Sequence, residues 1–108
     1  MTNKSCNNIM YILGCDSRFG EFIKEMDKDL KFFLEYSNEE NGYFIEFLTE
    51  RSCPHNTLTA ITDRFPHLLL DIYVLSYFLE CGYISYNAFK NGKWINLITI
   101  NNNQHERI

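Results

Sequence analysis

The sequence predicts a small α+β domain, mainly α, in which helices precede a two-stranded β-hairpin near the C-terminal end. Asn91-Gly92 lies between two runs rich in β-branched and aromatic residues, the pattern of a two-residue hairpin. Apolar residues in 68–79 recur at the spacing of one helix face, and Pro66 separates this helix from a shorter one at 57–65. A chain of 108 residues can bury a core of this kind without disulfides or metal.

The hairpin strands are expected at 83–89 and 94–100, with Phe89 opposite Trp94. The face that alternates with this pair is the more continuously apolar one, so it is expected to lie on the helices. Phe89 and Trp94 would then stand on the outer face. There they would adjoin the two cations of the turn, Lys90 and Lys93.

Two further helices are expected in the N-terminal half. Residues 20–36 carry an apolar stripe opposite charged residues, which predicts a helix that faces the core or, alternatively, a dimer seam. Residues 37–51 open with a capping box at Ser37 and Glu40 and predict another helix. The short apolar run at 9–13 fits either a strand or a buried helical turn. The expected single domain comprises an N-terminal extension (1–36), a helical unit with its hairpin (37–100) and a disordered tail (101–108).

The order helix, turn, helix, glycine, hairpin is that of a winged helix-turn-helix. The segment Glu80-Cys81-Gly82-Tyr83-Ile84 resembles the junction between recognition helix and wing in many bacterial winged-helix regulators. The resemblance covers about the last two thirds of the chain and points to no particular family within that superfamily. It implies a winged helix-turn-helix with an extra N-terminal helix and a C-terminal two-stranded β-wing.

The resemblance also implies a function: a bacterial or phage transcription regulator that binds duplex DNA as a homodimer. Its candidate DNA contacts lie at the end of the shorter helix, at the start and middle of the recognition helix and at the wing tip. They are Arg64, His67, Ser76, Lys90 and Lys93, with Lys31 as a further cation.

The charge balance favours a different function. Fourteen acidic residues against ten basic ones give a net charge of −4, whereas phosphate binding normally requires a basic patch. The outward positions of the expected recognition helix are aliphatic and aromatic, as in a protein interface. The alternative function is therefore a protein-interaction module, for example an acidic phage-encoded inhibitor. Its candidate interface residues are Leu70, Tyr73, Val74, Tyr77, Phe89 and Trp94.

The chain lacks the patterns of an enzyme, a metalloprotein or a membrane protein. The three histidines are far apart, the four cysteines have no C-x-x-C spacing, and no glycine-rich phosphate loop is present. No apolar run reaches the ~20 residues of a membrane span. The sequence therefore predicts a cytoplasmic protein that is not an enzyme and that uses no metal or cofactor.

Overall fold

The computed structural model describes residues 5–37, 42–50 and 52–102. The described chain contains six β-strands, two α-helices and one 3₁₀ turn. In chain order these are β1 (Ser5–Gly14), α1 (Phe19–Leu30), β2 (Leu34–Ser37), β3 (Gly42–Glu50), α2 (His55–Asp63), β4 (Leu70–Phe78), the 3₁₀ turn (Leu79–Cys81), β5 (Tyr83–Lys90) and β6 (Lys93–Asn101). The protein is therefore mainly β, and the predicted mainly α winged helix-turn-helix is wrong.

The strands form one antiparallel sheet in the order β2-β3-β1-β4-β5-β6. The first six α and β elements follow the β-α-β-β-α-β order of a ferredoxin-like motif. In that arrangement β1 lies between β3 and β4, and the hairpin β5–β6 adds two strands beside β4. The element predicted to be a wing is thus part of the main sheet.

Strand β4 replaces the predicted recognition helix. Its residues alternate between buried and half-exposed from Leu70 to Phe78. Side chains four positions apart share one face in a strand as well as in a helix, so part of the apolar spacing fits both structures. Ile72, Tyr73 and Val74 are β-branched or aromatic and favour a strand. Pairing with β1 on one side and β5 on the other gives β4 a central place in the sheet.

The N-terminal half also differs from the prediction. The helix expected at 20–36 ends at Leu30, because Lys31 adopts a left-handed conformation with φ 58°. The helix expected at 37–51 is instead strand β3, and the run at 9–13 lies in strand β1. The proposed capping box extends into residues 38–41, outside the described residues.

The short helix predicted at 57–65 is confirmed as α2, which begins two residues earlier. Asn56 lies inside α2, which ends at Asp63, and Pro54 precedes the first helical residue. The tail predicted at 101–108 begins instead as strand, because Asn101 is the last residue of β6; residues 103–108 lie outside the described residues.

Both helices cover the same face of the sheet. Phe22 and Met26 of α1, with Leu58 and Ile61 of α2, have essentially no solvent exposure. They pack on the buried side chains of the strands and on Phe65, whose ring meets that of Phe22 edge-on at 5.2 Å. The strands contribute Met10, Ile12, Ile45, Phe47, Ile72, Val74 and Phe89 to this core.

The hairpin turn is confirmed, but the predicted orientation of the hairpin is wrong. Asn91 and Gly92 have φ of 53° and 78°, and Phe89 pairs with Trp94 as predicted. Phe89 is nevertheless buried among the helices, and the Trp94 indole donates a hydrogen bond of 3.1 Å to the Thr62 hydroxyl of α2. The sheet decides the orientation, because Phe89 lies beside a core residue of β4.

Uncharged polar side chains cross the helix-covered face of the sheet. The Asn8 amide donates to the Thr49 hydroxyl at 2.9 Å, and the Ser76 hydroxyl donates to the Asn8 carbonyl oxygen at 2.6 Å. On the hairpin, the Asn96 amide donates to the Asn87 carbonyl oxygen at 2.9 Å. A one-residue slip of β1 would move Asn8 away from Thr49 and Ser76 and leave the buried Ser76 hydroxyl without this partner, so these hydrogen bonds favour the observed register.

A salt bridge within the β1–α1 loop is hydrogen-bonded to the α2–β4 loop. The Asp16 carboxylate accepts hydrogen bonds from the Arg18 guanidinium at 3.0 and 3.1 Å and from the Leu69 backbone N–H at 2.7 Å. Arg18 also donates to the Pro66 carbonyl at 2.8 Å. The hydrogen bonds from Arg18, followed by that from Leu69, hold the pKa of Asp16 well below its usual range.

We expect Asp16→Asn to lower the urea midpoint of unfolding at pH 7. The folded state favours ionised Asp16, so its contribution is complete above the ordinary aspartate pKa of about 3.9 and is lost as pH falls below it. The difference between wild type and variant should therefore shrink between about pH 5 and pH 2. Asp63→Asn, at an exposed position ending α2, is the matched control. Equal midpoints of wild type and Asp16→Asn at pH 7 would contradict this role.

Candidate functional site: the open face of the sheet

The sheet face opposite the helices is lined by apolar and aromatic side chains, and no described helix packs on it. We call this surface the open face. It consists of the strand residues that alternate with the core positions. Its apolar members are Ile9, Tyr11 and Leu13 on β1; Phe44 and Leu48 on β3; Tyr73, Leu75 and Tyr77 on β4; Ile84 and Tyr86 on β5; and Ile95, Ile98 and Ile100 on β6, and its polar members include Asn7 on β1 and Glu46 on β3.

An aromatic row crosses the centre of the open face. The antiparallel register sets Phe44, Tyr11 and Tyr73 side by side on β3, β1 and β4, and the row continues through Ala88 to Ile95. The rings of Tyr11 and Phe44 meet edge-on, with centroids 5.5 Å apart. Three adjacent strands therefore each present an aromatic side chain on one line.

A second aromatic contact lies one step further along the strands. The rings of Tyr73 and Tyr86 stack at a centroid distance of 6.4 Å and an interplanar angle of 22°. Between the two contacts lies a shallow depression of about 330 Å³. It is lined by Ile9, Tyr11, Leu13, Tyr73, Leu75 and Tyr86.

The charged side chains of the β4–β5 end lie at the rim of the open face. Lys90 donates a hydrogen bond of 2.8 Å to the Tyr73 hydroxyl, lies 5.2 Å from the centre of that ring and is 3.6 Å from the Asp71 carboxylate. The hydrogen bond to Tyr73, and then the charge of Asp71, raise the pKa of Lys90. Lys93 lies beside Lys90, while Glu46 lies on the open face itself, on β3 opposite Ile9. An apolar centre with a polar rim is the anatomy of a protein–protein interface.

The candidate DNA contacts are dispersed by the fold. Arg64 caps α2 and pairs with Glu25 at 2.8 Å and Asp29 at 3.1 Å on the helix side. Ser76 is fully buried, so it is not available to a ligand. The remaining candidates are exposed or half-exposed but do not gather in one place: His67 lies in the turn before β4, Lys31 ends α1, and Lys90 and Lys93 flank the hairpin turn.

The candidate interface residues divide between the two faces of the sheet. Tyr73 and Tyr77 lie on the open face, as an interface requires. Leu70, Val74 and Phe89 are buried in the core, and Trp94 is half-buried against it, so the prediction that these four form an outer surface is wrong.

Sequence reasoning missed most of the open face. Tyr11, Phe44 and Tyr86 were assigned to no site, because two of the three segments that carry them were not assigned to a strand. The β-branched and aromatic residues Ile9, Tyr11 and Ile12 were the available signal for β1. The contribution of Phe44 depends on its pairing with Tyr11, 33 positions away, which no local pattern reveals.

The described residues do not form a catalytic arrangement that we can identify. Burial raises the pKa of the Cys6 thiol to about 11 and also raises the pKa of Cys53, which disfavours both thiolates. Within the described ranges, no three His, Cys, Asp or Glu residues gather as metal ligands. Neither described helix has the length and apolar character needed to cross a membrane.

Comparison of the chain with protein-family models, with curated proteins and with solved structures gives no match in any of the three. The open face is therefore interpreted from its own chemistry.

Two alanine substitutions on β5 test the orientation of the hairpin. Phe89→Ala empties a buried ring position and should lower the free energy of unfolding by about 3–5 kcal/mol. Tyr86→Ala removes a half-exposed cross-strand contact and should cost about 1 kcal/mol. Urea denaturation of both variants measures the difference, and a larger loss for Tyr86→Ala would reverse the assigned faces.

Proposed function

We propose that the chain is a non-enzymatic protein-interaction module whose open face packs on the open face of a second copy. The observation that carries the proposal is the contrast between the two sides of the sheet. Helices cover one side, whereas the other presents aromatic and aliphatic residues on β1, β3, β4, β5 and β6. Burying such a surface against a protein is favourable at about 25 cal/mol per Å² of apolar area.

The dimensions of the open face support a second copy as the occupant. Six strands about 4.8 Å apart and about eight residues long, rising about 3.3 Å per residue, span roughly 24 Å by 26 Å, or about 600 Å² in projection. Because half-exposed side chains make the face uneven, its surface area is larger than this projected area. A standard interface buries about 800 Å² on each partner, so the face alone nearly supplies a dimer contact.

The distribution of charge supports the same occupant. A two-fold dimer places one surface against itself, so any charge at the centre would approach its own copy. Here the central depression is lined by uncharged residues only, Asp71 and Lys90 stand at one margin, and Glu46 projects from β3 opposite Ile9. Opposite charges at one margin also leave no single-sign field to repel a second copy.

The double variant Tyr73→Ala, Tyr77→Ala tests the proposal by sedimentation velocity. Truncating desolvated aromatic residues in an interface costs about 2 kcal/mol or more, so we expect the dissociation constant to rise at least about 30-fold. Thermal unfolding followed by circular dichroism verifies that the variant folds. The matched control, Lys24→Ala with Thr59→Ala, shortens two exposed side chains on the helices and should leave association unchanged. A wild-type chain that sediments only as a 12.9 kDa species at about 50 µM would overturn the proposal.

Single-stranded nucleic acid is the alternative ligand that the aromatic row favours. Sheets of β-α-β-β-α-β order can stack bases on aromatic side chains of neighbouring strands, and Tyr11 and Phe44 occupy such positions. Phosphate binding also needs cations along the sheet. Lys90 is already paired with Asp71, and Glu46 projects beside the aromatic row, so the charges favour a protein. Duplex DNA has no candidate reading helix, because the segment predicted for that role is strand β4.

We therefore expect no saturable binding of a labelled ten-nucleotide oligouridine at about 0.1 M salt, measured by fluorescence anisotropy. The acidic net charge of −4 and the paired state of Lys90 are the reasons. Saturable binding that Tyr11→Ala abolishes, while the control Lys24→Ala does not, would assign the open face to nucleic acid.

A further inference from the structure

The two edges of the sheet are unequal. At one edge β2 has only four residues, and a short edge strand offers little backbone for pairing. At the other edge β6 runs for nine residues, from Lys93 to Asn101, and none of the described strands pairs with its outer side. Over the eight residues from Lys93 to Ile100, this outer edge is about 26 Å long, at about 3.3 Å per residue.

Strand β6 carries few of the features that protect a free edge. Proteins usually block such edges with charged residues, proline or a covering segment. Here the sole charged residue is Lys93, at the first position, and the strand contains no proline. One bulge is present, where Leu97 is the extra residue between the pairs formed by Asn96 and Ile98. Four aliphatic side chains are 41–51% exposed: Ile95, Leu97, Ile98 and Ile100.

We propose that β6 pairs antiparallel with β6 of a second copy, across a two-fold axis perpendicular to the sheet, to form one continuous twelve-stranded sheet. The surface used is the backbone edge, not the open face, so this inference stands apart from the proposed function. Each backbone N–H and C=O on the outer side of the strand would gain a partner.

The residues of β6 are self-complementary in this arrangement. Antiparallel pairing about an axis between Asn96 and Leu97 sets Lys93 opposite Ile100 of the second copy, so no like charges meet. The bulge at Leu97 places Ile95 and Ile98 on the same face of the sheet. The perpendicular axis keeps corresponding faces on one side, so Ile95 of each copy lies opposite Ile98 of the other on the open side.

The geometry also leaves the open faces available. Because the two-fold axis is perpendicular to the sheet, both open faces point in the same direction after pairing. If the proposed face-to-face contact also forms, two twelve-stranded sheets stack as a tetramer of four 12.9 kDa chains, about 52 kDa. Loss of either contact alone would then divide the tetramer into two dimers of half its mass.

A charge swap at Leu97 tests the edge contact. Leu97 is the middle residue of β6, so it lies close to its own copy near the two-fold axis. Leu97→Lys and Leu97→Glu each place two like charges there, and each should raise the dissociation constant of the edge contact at least tenfold. An equimolar mixture of the two variants places opposite charges at the axis and should restore association. Leu69→Lys, at a leucine that is 71% exposed in the loop before β4, is the control and should change nothing.

Sedimentation velocity and native mass spectrometry of the full chain give the readout, with thermal unfolding to verify the folded state. Either single variant with unchanged mass, or a mixture that fails to restore it, would overturn the edge contact. The open-face variant distinguishes the two proposals. A dimeric wild type that dissociates with Leu97→Lys but not with Tyr73→Ala, Tyr77→Ala would keep the edge contact and reject the face contact. The opposite pattern would keep the face contact alone.

Discussion

The structure depends on the alternation of side chains along β1 and β4, the two middle strands of a six-stranded sheet. Each strand must place every second residue on the opposite face. Two helices, of twelve and nine residues, cover one face of the sheet. The other face must then either be polar and exposed to solvent or pack against another surface. In this chain it carries Tyr11, Tyr73 and Leu75, and the proposed association depends on this apolar surface.

The elements that could be predicted from sequence are those specified by neighbouring residues. The Asn91-Gly92 turn needs two positive φ angles that these residues accept, and α2 has a local amphipathic pattern. Strand β4 was mistaken for a helix because several of its apolar residues are four apart, a spacing that both structures share. Its partner β1 lies more than fifty residues away, and that pairing decides between the two.

Prediction of the candidate site was limited in the same way, by pairings between residues that are distant in the sequence. Tyr73 and Tyr77 were predicted to share a surface, and their even spacing makes this true in a strand as in a helix. Leu70 and Val74 were predicted to share it as well, and the strand places them on the opposite side. The bulge at Leu97 also changes the register of the hairpin, so that Ile98 lies opposite Tyr86 in place of Leu97. A single inserted residue of this kind has no signal in the local pattern.

The place of β1 in the sheet has a consequence for synthesis on the ribosome. Strand β1 is made early, but its two neighbours are β3, which ends at Glu50, and β4, which ends at Phe78. At about 5–20 residues per second, the 64 residues from Gly14 to Phe78 take about 3 to 13 s to translate. Throughout that interval at least one edge of an apolar strand is without its native partner. The nascent chain is thus most open to wrong pairing before its own fourth strand emerges.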